Sequence, residues 1–208
     1  MSLFITFEGP EGSGKSTQIK LLADALTAQG RDVLSVREPG GTSIGDQIRA
    51  VLHDLRNREL HPRAEILLYN AARAQIVEQT IRPHLARGGI VLCDRFADST
   101  LAYQGYGRGL DLADVRHIVA FATQNLKPDL TLYLDIEVEA GLARRRTSGG
   151  EWNRMDDQTL EFYRRVQDGY RQLMAEEPQR WVLIDAARSV AEIQRAIFIE
   201  VEKRLTAR

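Results

Sequence analysis

Cysteine is almost missing from this sequence. Cys93 is the only one, so no intramolecular disulfide can form. That suits a reducing compartment, the cytoplasm, and a lone cysteine inside an apolar run reads as a buried, inert thiol rather than a nucleophile. Long apolar runs are missing too: no stretch approaches the ~20 residues that span a bilayer. No basic region precedes the first apolar run, so neither a membrane anchor nor a secretory leader is expected. Neither sign of charge is in excess, with 28 Lys+Arg against 29 Asp+Glu and a net charge of −1. A balanced surface lacks the field that draws a protein to nucleic acid or to a membrane. Internal repeats, low-complexity tracts and linkers are absent as well. What is present is an ordinary globular composition, 43% hydrophobic and 27% charged over 208 residues. It is enough for one domain, 1–208, with a sizeable core.

Five apolar, β-branched runs stand out: Leu3–Phe7, Asp32–Val36, Gly89–Cys93, Asp129–Ile136 and Arg180–Ile184. Between them the spacing predicts helices over about Gly14–Gln29, Ser43–Asp54, Pro62–Ala86, Leu112–Asn125, Glu137–Arg146, Asp157–Glu176 and Val190–Leu205. Alternating strands and helices mean right-handed βαβ units and a five-stranded parallel sheet flanked by helices, a three-layer α/β fold. In such sheets ligands sit beyond the carboxyl ends of the strands. Polar residues cluster there: Glu8, Arg37-Glu38, Asp94-Arg95 and Asp185.

The strongest motif is Gly9-Pro10-Glu11-Gly12-Ser13-Gly14-Lys15-Ser16, followed by Thr17, which fits G-x-x-x-x-G-K-[S/T] between a strand and a helix. Its glycines let backbone N–H groups turn onto phosphate oxygens, and the helix N-terminus adds partial positive charge. Lys15 is placed to bridge the β- and γ-phosphates of a nucleoside triphosphate, and Ser16 to ligate Mg²⁺. Asp94 closes an apolar strand, as the second Mg²⁺ partner of such a loop does, and Arg95 follows at once. Beside the strand end, Arg95 either holds a second, accepting phosphate or forms a surface ion pair with Asp94. Ser99, Thr100, Tyr103 and Gln104 supply hydrogen-bonding groups just after it.

The turn Arg37-Glu38-Pro39-Gly40-Gly41-Thr42-Ser43 follows the second strand, and Thr42 or Ser43 can cap the helix that carries Arg49. A cis bond before Pro39 would be unsurprising. On the long helix, Ala64, Leu67, Leu68, Ala71 and Ala72 are expected to pack on the sheet. Tyr69 and Arg73 lie one turn apart on another face, fit either to stack and read a flat base or to form a surface cation–π pair. Arg144, Arg145 and Arg146 end a helix that runs into Thr147-Ser148-Gly149-Gly150, and Arg154 follows. Consecutive helical residues differ by ~100°, so the three cannot all meet one ligand. The region 144–154 is expected to be a short mobile lid that brings cations over the phosphates. A GTPase would need Asn-Lys-x-Asp; Asn125-Leu126-Lys127-Pro128-Asp129 has the wrong spacing.

As an ordered set these motifs are more specific than the phosphate loop alone. With Phe7-Glu8-Gly9, Arg37-Glu38-Pro39-Gly40-Gly41-Thr42, Ala71-Ala72-Arg73-x-Gln75 and Asp94-Arg95-x-x-x-Ser99-Thr100-x-Ala102-Tyr103-Gln104, the chain resembles the bacterial thymidylate kinases over essentially its whole length. The resemblance implies a P-loop kinase fold and transfer of phosphate from ATP to dTMP with Mg²⁺, in a homodimer. It implies ATP binding by Gly9 to Thr17, metal binding by Ser16 and Asp94, and catalysis by Lys15, Asp94, Arg95 and a lid arginine. By the same resemblance Tyr69 stacks on thymine, Arg73 donates to its carbonyl edge, Thr100 reads the base and Tyr103 crowds the sugar 2′ position. Arg95 and Arg49 hold the dTMP phosphate, Ser99 and Gln104 belong to the same site, and Glu11 lies near the sugar hydroxyl or the metal. One branch of the family carries an arginine where this chain has Gly12, and the other keeps it in the lid. This chain fits the second branch, with Arg146 the first expectation and Arg144 the next. Asn153-Arg154 departs from the Asp-Arg pair that usually closes the lid, which leaves the choice of arginine open. The alternatives are a kinase for another nucleoside monophosphate and an ATP-switched binding module without transfer.

Overall fold

The chain was analysed as a computed structural model that describes residues 2–147, 149 and 152–206. Strands β1 (Leu3–Glu8), β2 (Val33–Arg37), β3 (Ile90–Asp94), β4 (Leu130–Asp135) and β5 (Trp181–Asp185) form one sheet in the order β2-β3-β1-β4-β5. Every pairing is parallel, and the register sets Phe7 beside Asp94 and Glu8 beside Tyr133. The strands are the five apolar runs expected from sequence, within a residue or two at each end.

Alternation along β1 divides the core. Leu3, Ile5 and Phe7 face α1 (Lys15–Ala28) and α9 (Val190–Thr206), packing with Leu22, Leu26, Ile197 and Val201. Phe4, one step out of phase, packs on the other side with Val91, Phe96 and Ile76. On that same side α6 (Leu112–Thr123) and α8 (Leu160–Glu176) cover Tyr133 and Trp181 through Val115, Phe162 and Tyr170. The remaining helical segments are α2 (Ser43–His53), α3 (Pro62–Ile76), α4 (Arg82–Ala86), α5 (Ala97–Thr100) and α7 (Val138–Thr147).

The long helix expected over Pro62–Ala86 is continuous but not uniform. Between α3 and α4 it widens into a π turn, Val77–Ile81. Pro83 explains the position, because a proline has no N–H to donate and its ring crowds the carbonyl four residues back. The apolar face expected on α3 is overturned except at Ala72, which is buried. Leu67 is 58% exposed and Ala64 and Ala71 are also exposed, while Glu65, Ile66, Asn70, Ala72, Arg73 and Ile76 are buried. The polar side turns inward because its charges find partners there: Glu65 with Arg108 and Arg154, and Arg73 with Glu38. A buried charge is tolerated when it is paired and hydrogen-bonded.

A helical segment that the apolar pattern did not signal follows β3. It is α5, continued by a π-helical stretch, Leu101–Gly107.

Candidate active site

The strand order makes β1 the switch point, with β3 on one side and β4 on the other, and a cleft of about 540 Å³ opens over the carboxyl ends of the strands. The glycine loop joins β1 to α1, with Gly14 as a left-handed N-cap. Lys15 lies back over this loop: Nζ donates to the carbonyls of Gly9 and Pro10 at 3.1 and 2.8 Å and to Ser13 Oγ at 3.3 Å. Burial, reinforced by the Arg95 charge, brings Lys15 down to about 8, with Glu11, Asp94 and Glu8 opposing. Ser16 Oγ donates to Asp94 Oδ2 at 2.6 Å, joining the two expected metal residues although 78 positions separate them.

One hydroxyl and one carboxylate are a chemically suitable donor set for Mg²⁺, which keeps several waters and takes the rest of its shell from phosphate oxygens. Among the described residues no group of three or more His, Cys, Asp or Glu side chains gathers as a metal site. A metal held by Ser16 and Asp94 therefore depends on nucleotide oxygens as well.

Arg95, the residue after β3, borders the same cleft with a left-handed backbone, φ 67°. Its Nη2 donates to Glu11 Oε1 at 2.7 Å, its Nη1 to Ser99 Oγ and Tyr170 Oη at 3.2 and 3.3 Å, and its guanidinium lies 4.9 Å from the Tyr103 ring centre. Burial raises the Glu11 carboxyl, but the neighbouring Arg95 and Lys15 outweigh it and hold Glu11 at about 2. The sequence alternative of an Asp94–Arg95 surface pair does not hold, because Arg95 is paired with Glu11 instead.

Arg73 is 2% exposed. It pairs with Glu38 at 2.6 Å and donates to Thr100 Oγ1, Asn70 Oδ1 and the Phe96 carbonyl. Glu38 precedes a cis peptide to Pro39, whose carbonyl accepts from Arg49 Nη1 at 2.8 Å. Thr42, not Ser43, caps α2 by accepting from the Gly45 N–H. Tyr69, Thr100, Tyr103 and Gln104 all border the cleft, and Gln104 also donates to Glu65.

The arginines at the end of α7 separate. Arg144 and Arg145 border the cleft, Arg144 donating to the Ala186 carbonyl and Arg145 forking onto Asp156 at 2.9 and 2.7 Å. Arg146 lies outside the cleft lining, 6.0 Å over the Trp152 ring. Arg154 is buried at Glu65 and the Leu52 carbonyl, far into the scaffold. In the expected lid, Ser148, Gly150 and Glu151 lie outside the described residues. Sequence reasoning passed over His53 as a cleft residue and placed Arg145 behind Arg146 and Arg144; His53, on the last turn of α2 beside Arg49, is pulled down to about 4 by burial and that charge. It also missed how tightly α7 meets the loop. A Cβ on Gly12 would sit 2.0 Å from the Gly141 carbonyl oxygen, and one on Gly141 would sit 2.5 Å from the Glu11 carbonyl oxygen.

The family model described as thymidylate kinase matches residues 7–197. The chain belongs to the thymidylate kinase family. It is 53% identical to the thymidylate kinase of Roseiflexus sp. (strain RS-1), covering 100% of this chain and 96% of that relative. It is 50% identical to that of Geotalea uraniireducens (strain Rf4), covering 99% of each. The crystal structure of thymidylate kinase from Ehrlichia chaffeensis superposes with a TM-score of 0.78 at 32% identity, over 96% of this chain and 98% of that one. The three-layer P-loop α/β architecture expected from sequence is therefore the fold of a family member.

Proposed function

We infer that the chain is an ATP-dependent kinase for dTMP, moving the γ-phosphate of ATP to the dTMP phosphate and giving ADP and dTDP. One observation carries the reading: a single cleft is lined both by Lys15 and Ser16 and by Tyr69, Arg73, Arg95 and Thr100. Donor and acceptor phosphates can both enter this cleft, which Lys15 and Arg95 share.

In this reading Gly9 to Thr17 cradle the ATP phosphates, and Lys15 leaves its loop carbonyls for phosphate oxygens. Ser16 and Asp94 hold Mg²⁺, which when bound neutralises charge on the phosphate oxygens. Arg95, with Arg49 as a second contact, binds the acceptor phosphate, and Glu11 keeps Arg95 in place near the sugar. Tyr69 stacks on thymine. Arg73 is oriented by Glu38 and the Phe96 carbonyl, and turns the donor now on Thr100 toward the base carbonyl. Thr100 reads the base, Tyr103 closes the 2′ side of the sugar, and Ser99 and Gln104 complete the acceptor end. The lid cation comes from α7. Arg146 is the arginine expected from sequence, and Arg144, already at the cleft edge, is the other candidate.

The chain works as one domain, 1–208, in the cytoplasm. In support, Cys93 is free and buried, and no helix among the described residues is long and apolar enough to cross a membrane. The substrates are small molecules, with no nucleic-acid partner. We further propose a homodimer, supported by the exposed apolar side chains of the neighbouring helices α3 and α6, Leu67 and Phe121 at 58% and 87% exposed.

The test is ADP release from ATP·Mg²⁺ with dTMP, dUMP, UMP, CMP, AMP and GMP offered separately. The fastest release is expected with dTMP. Faster turnover with AMP or CMP would overturn the thymine assignment, and turnover independent of any acceptor would leave only an ATP-binding module.

A further inference from the structure

Neither Glu8 nor Tyr170 borders the cleft, yet both are buried and both converge on Arg95. Glu8 ends β1, and its Oε1 accepts from the Phe96 N–H at 2.8 Å, the peptide that follows the left-handed Arg95. A left-handed backbone is unfavourable for a residue with a Cβ, so an anchor at the next peptide is needed to hold it. Glu8 Oε2 accepts from Ser99 Oγ at 2.6 Å and from Tyr170 Oη at 2.7 Å. Ser99 Oγ and Tyr170 Oη also lie 2.9 Å apart, and with Glu8 ionised both hydroxyl protons are directed at the shared carboxylate oxygen. The lone pairs left on Ser99 Oγ and Tyr170 Oη then face Arg95 Nη1, which donates to both.

The polarity of the whole cluster follows from one carboxylate. Burial lifts the Glu8 carboxyl to about 7, helped by the Asp98 charge and opposed by Arg95 and the two hydroxyl bonds. With Nη1 held by two hydroxyls and Nη2 by Glu11, the Nε–H and the second Nη2 proton of Arg95 are not used by these bonds. A guanidinium fixed on one edge presents its remaining donors as a preoriented fork, which suits a phosphate.

We propose that Glu8 and Tyr170 are positioning residues for Arg95, aiming its free donors at the acceptor phosphate through two hydroxyls whose protons Glu8 directs. This rests on the reading of Arg95 as a ligand of that phosphate. Tyr170 stands on α8, downstream of the lid segment, so the acceptor arginine is tied to the helix that follows the lid.

The test is steady-state kinetics of Tyr170→Phe, Glu8→Gln, Arg95→Ala and the double variant Tyr170→Phe/Arg95→Ala, with KM measured separately for dTMP and ATP and a thermal melt of each protein. Losing a hydrogen bond to a charged group is expected to raise the dTMP KM of Tyr170→Phe about 10-fold, with the ATP KM unchanged. Glu8→Gln, of equal size but unable to accept all three bonds, should show the same one-sided shift. On the Arg95→Ala background Tyr170→Phe should add nothing, since the two act through one contact. A wild-type dTMP KM in Tyr170→Phe, beside a raised one in Arg95→Ala, would overturn the positioning role and leave the acceptor reading intact. An unchanged dTMP KM in Arg95→Ala would instead overturn the acceptor reading. A lowered melting temperature with both KM values shifted alike, or a Tyr170→Phe effect that persists without Arg95, would make Tyr170 a packing residue only.

Discussion

Lys15 spends its charge on its own loop, on two carbonyls and Ser13 Oγ. Those bonds are weak substitutes for phosphate, so nucleotide binding exchanges them for charge-assisted ones. Lys15→Ala is expected to cut turnover by on the order of 10² or more, measured as kcat for ADP release with dTMP. Near-normal turnover would remove the loop from the chemistry. The same residue carries a pH prediction. Its folded value of about 8 lies below the ordinary 10.5, so between them the unfolded chain binds more protons and stability rises with pH. Denaturant unfolding of the ligand-free protein should show wild type gaining stability relative to Lys15→Met as pH climbs from about 8 to 10.5. A flat difference across that window would contradict the sign. Most residues at this scale were legible: Lys15, Ser16, Asp94 and Arg95 announce themselves by type and by position after a strand. Glu8 was visible only as a polar strand end, because its partners Ser99 and Tyr170 lie 91 and 162 positions away.

At the scale of elements, α7 and the glycine loop are in backbone contact. Gly12 and Gly141 are each small because the other chain segment occupies the space a Cβ would need. Gly12 also has φ 71°, which disfavours any side chain there. An arginine in the loop at position 12 is thus excluded by packing. Gly141→Ala is expected to displace the Glu11 backbone and lower kcat/KM by on the order of 10² through misplacement alone, with helicity by circular dichroism unchanged. Wild-type kinetics would show that the loop yields freely. The helix α3 marks the limit of periodicity. Counting apolar residues assigns Leu67 to the core, whereas the buried side mixes Ile66, Ala72 and Ile76 with Glu65, Asn70 and Arg73, whose burial is decided by Glu38, Arg108 and Arg154. The segment Leu101–Gly107 was hidden for a related reason: a π-helical stretch does not repeat at 3.6 residues, so the usual period misses it.

For the whole molecule, large apolar side chains are left exposed on several elements, and Phe121 on α6 is the most exposed of those described. Phe121, at 87% exposed, is the side chain with most to gain from a partner. For the proposed homodimer built on this face, Phe121→Glu is expected to give a monomer mass in size-exclusion chromatography with light scattering where wild type gives a dimer mass, because burying an unpaired carboxylate is costly. An unchanged mass would exclude this face as the interface.

The sequence by itself determined the order and type of the strands, the P-loop between β1 and α1, and the family. Each of these depends on neighbours within a few positions or on an ordered set of short motifs. The tertiary structure alone decided which face of α3 is inside, which arginines of α7 border the cleft, and that Glu11 rather than Asp94 is the partner of Arg95. Those outcomes depend on which distant charges meet in a low-dielectric interior, where pairing outweighs hydrophobic pattern. Separation along the chain gives no measure of it.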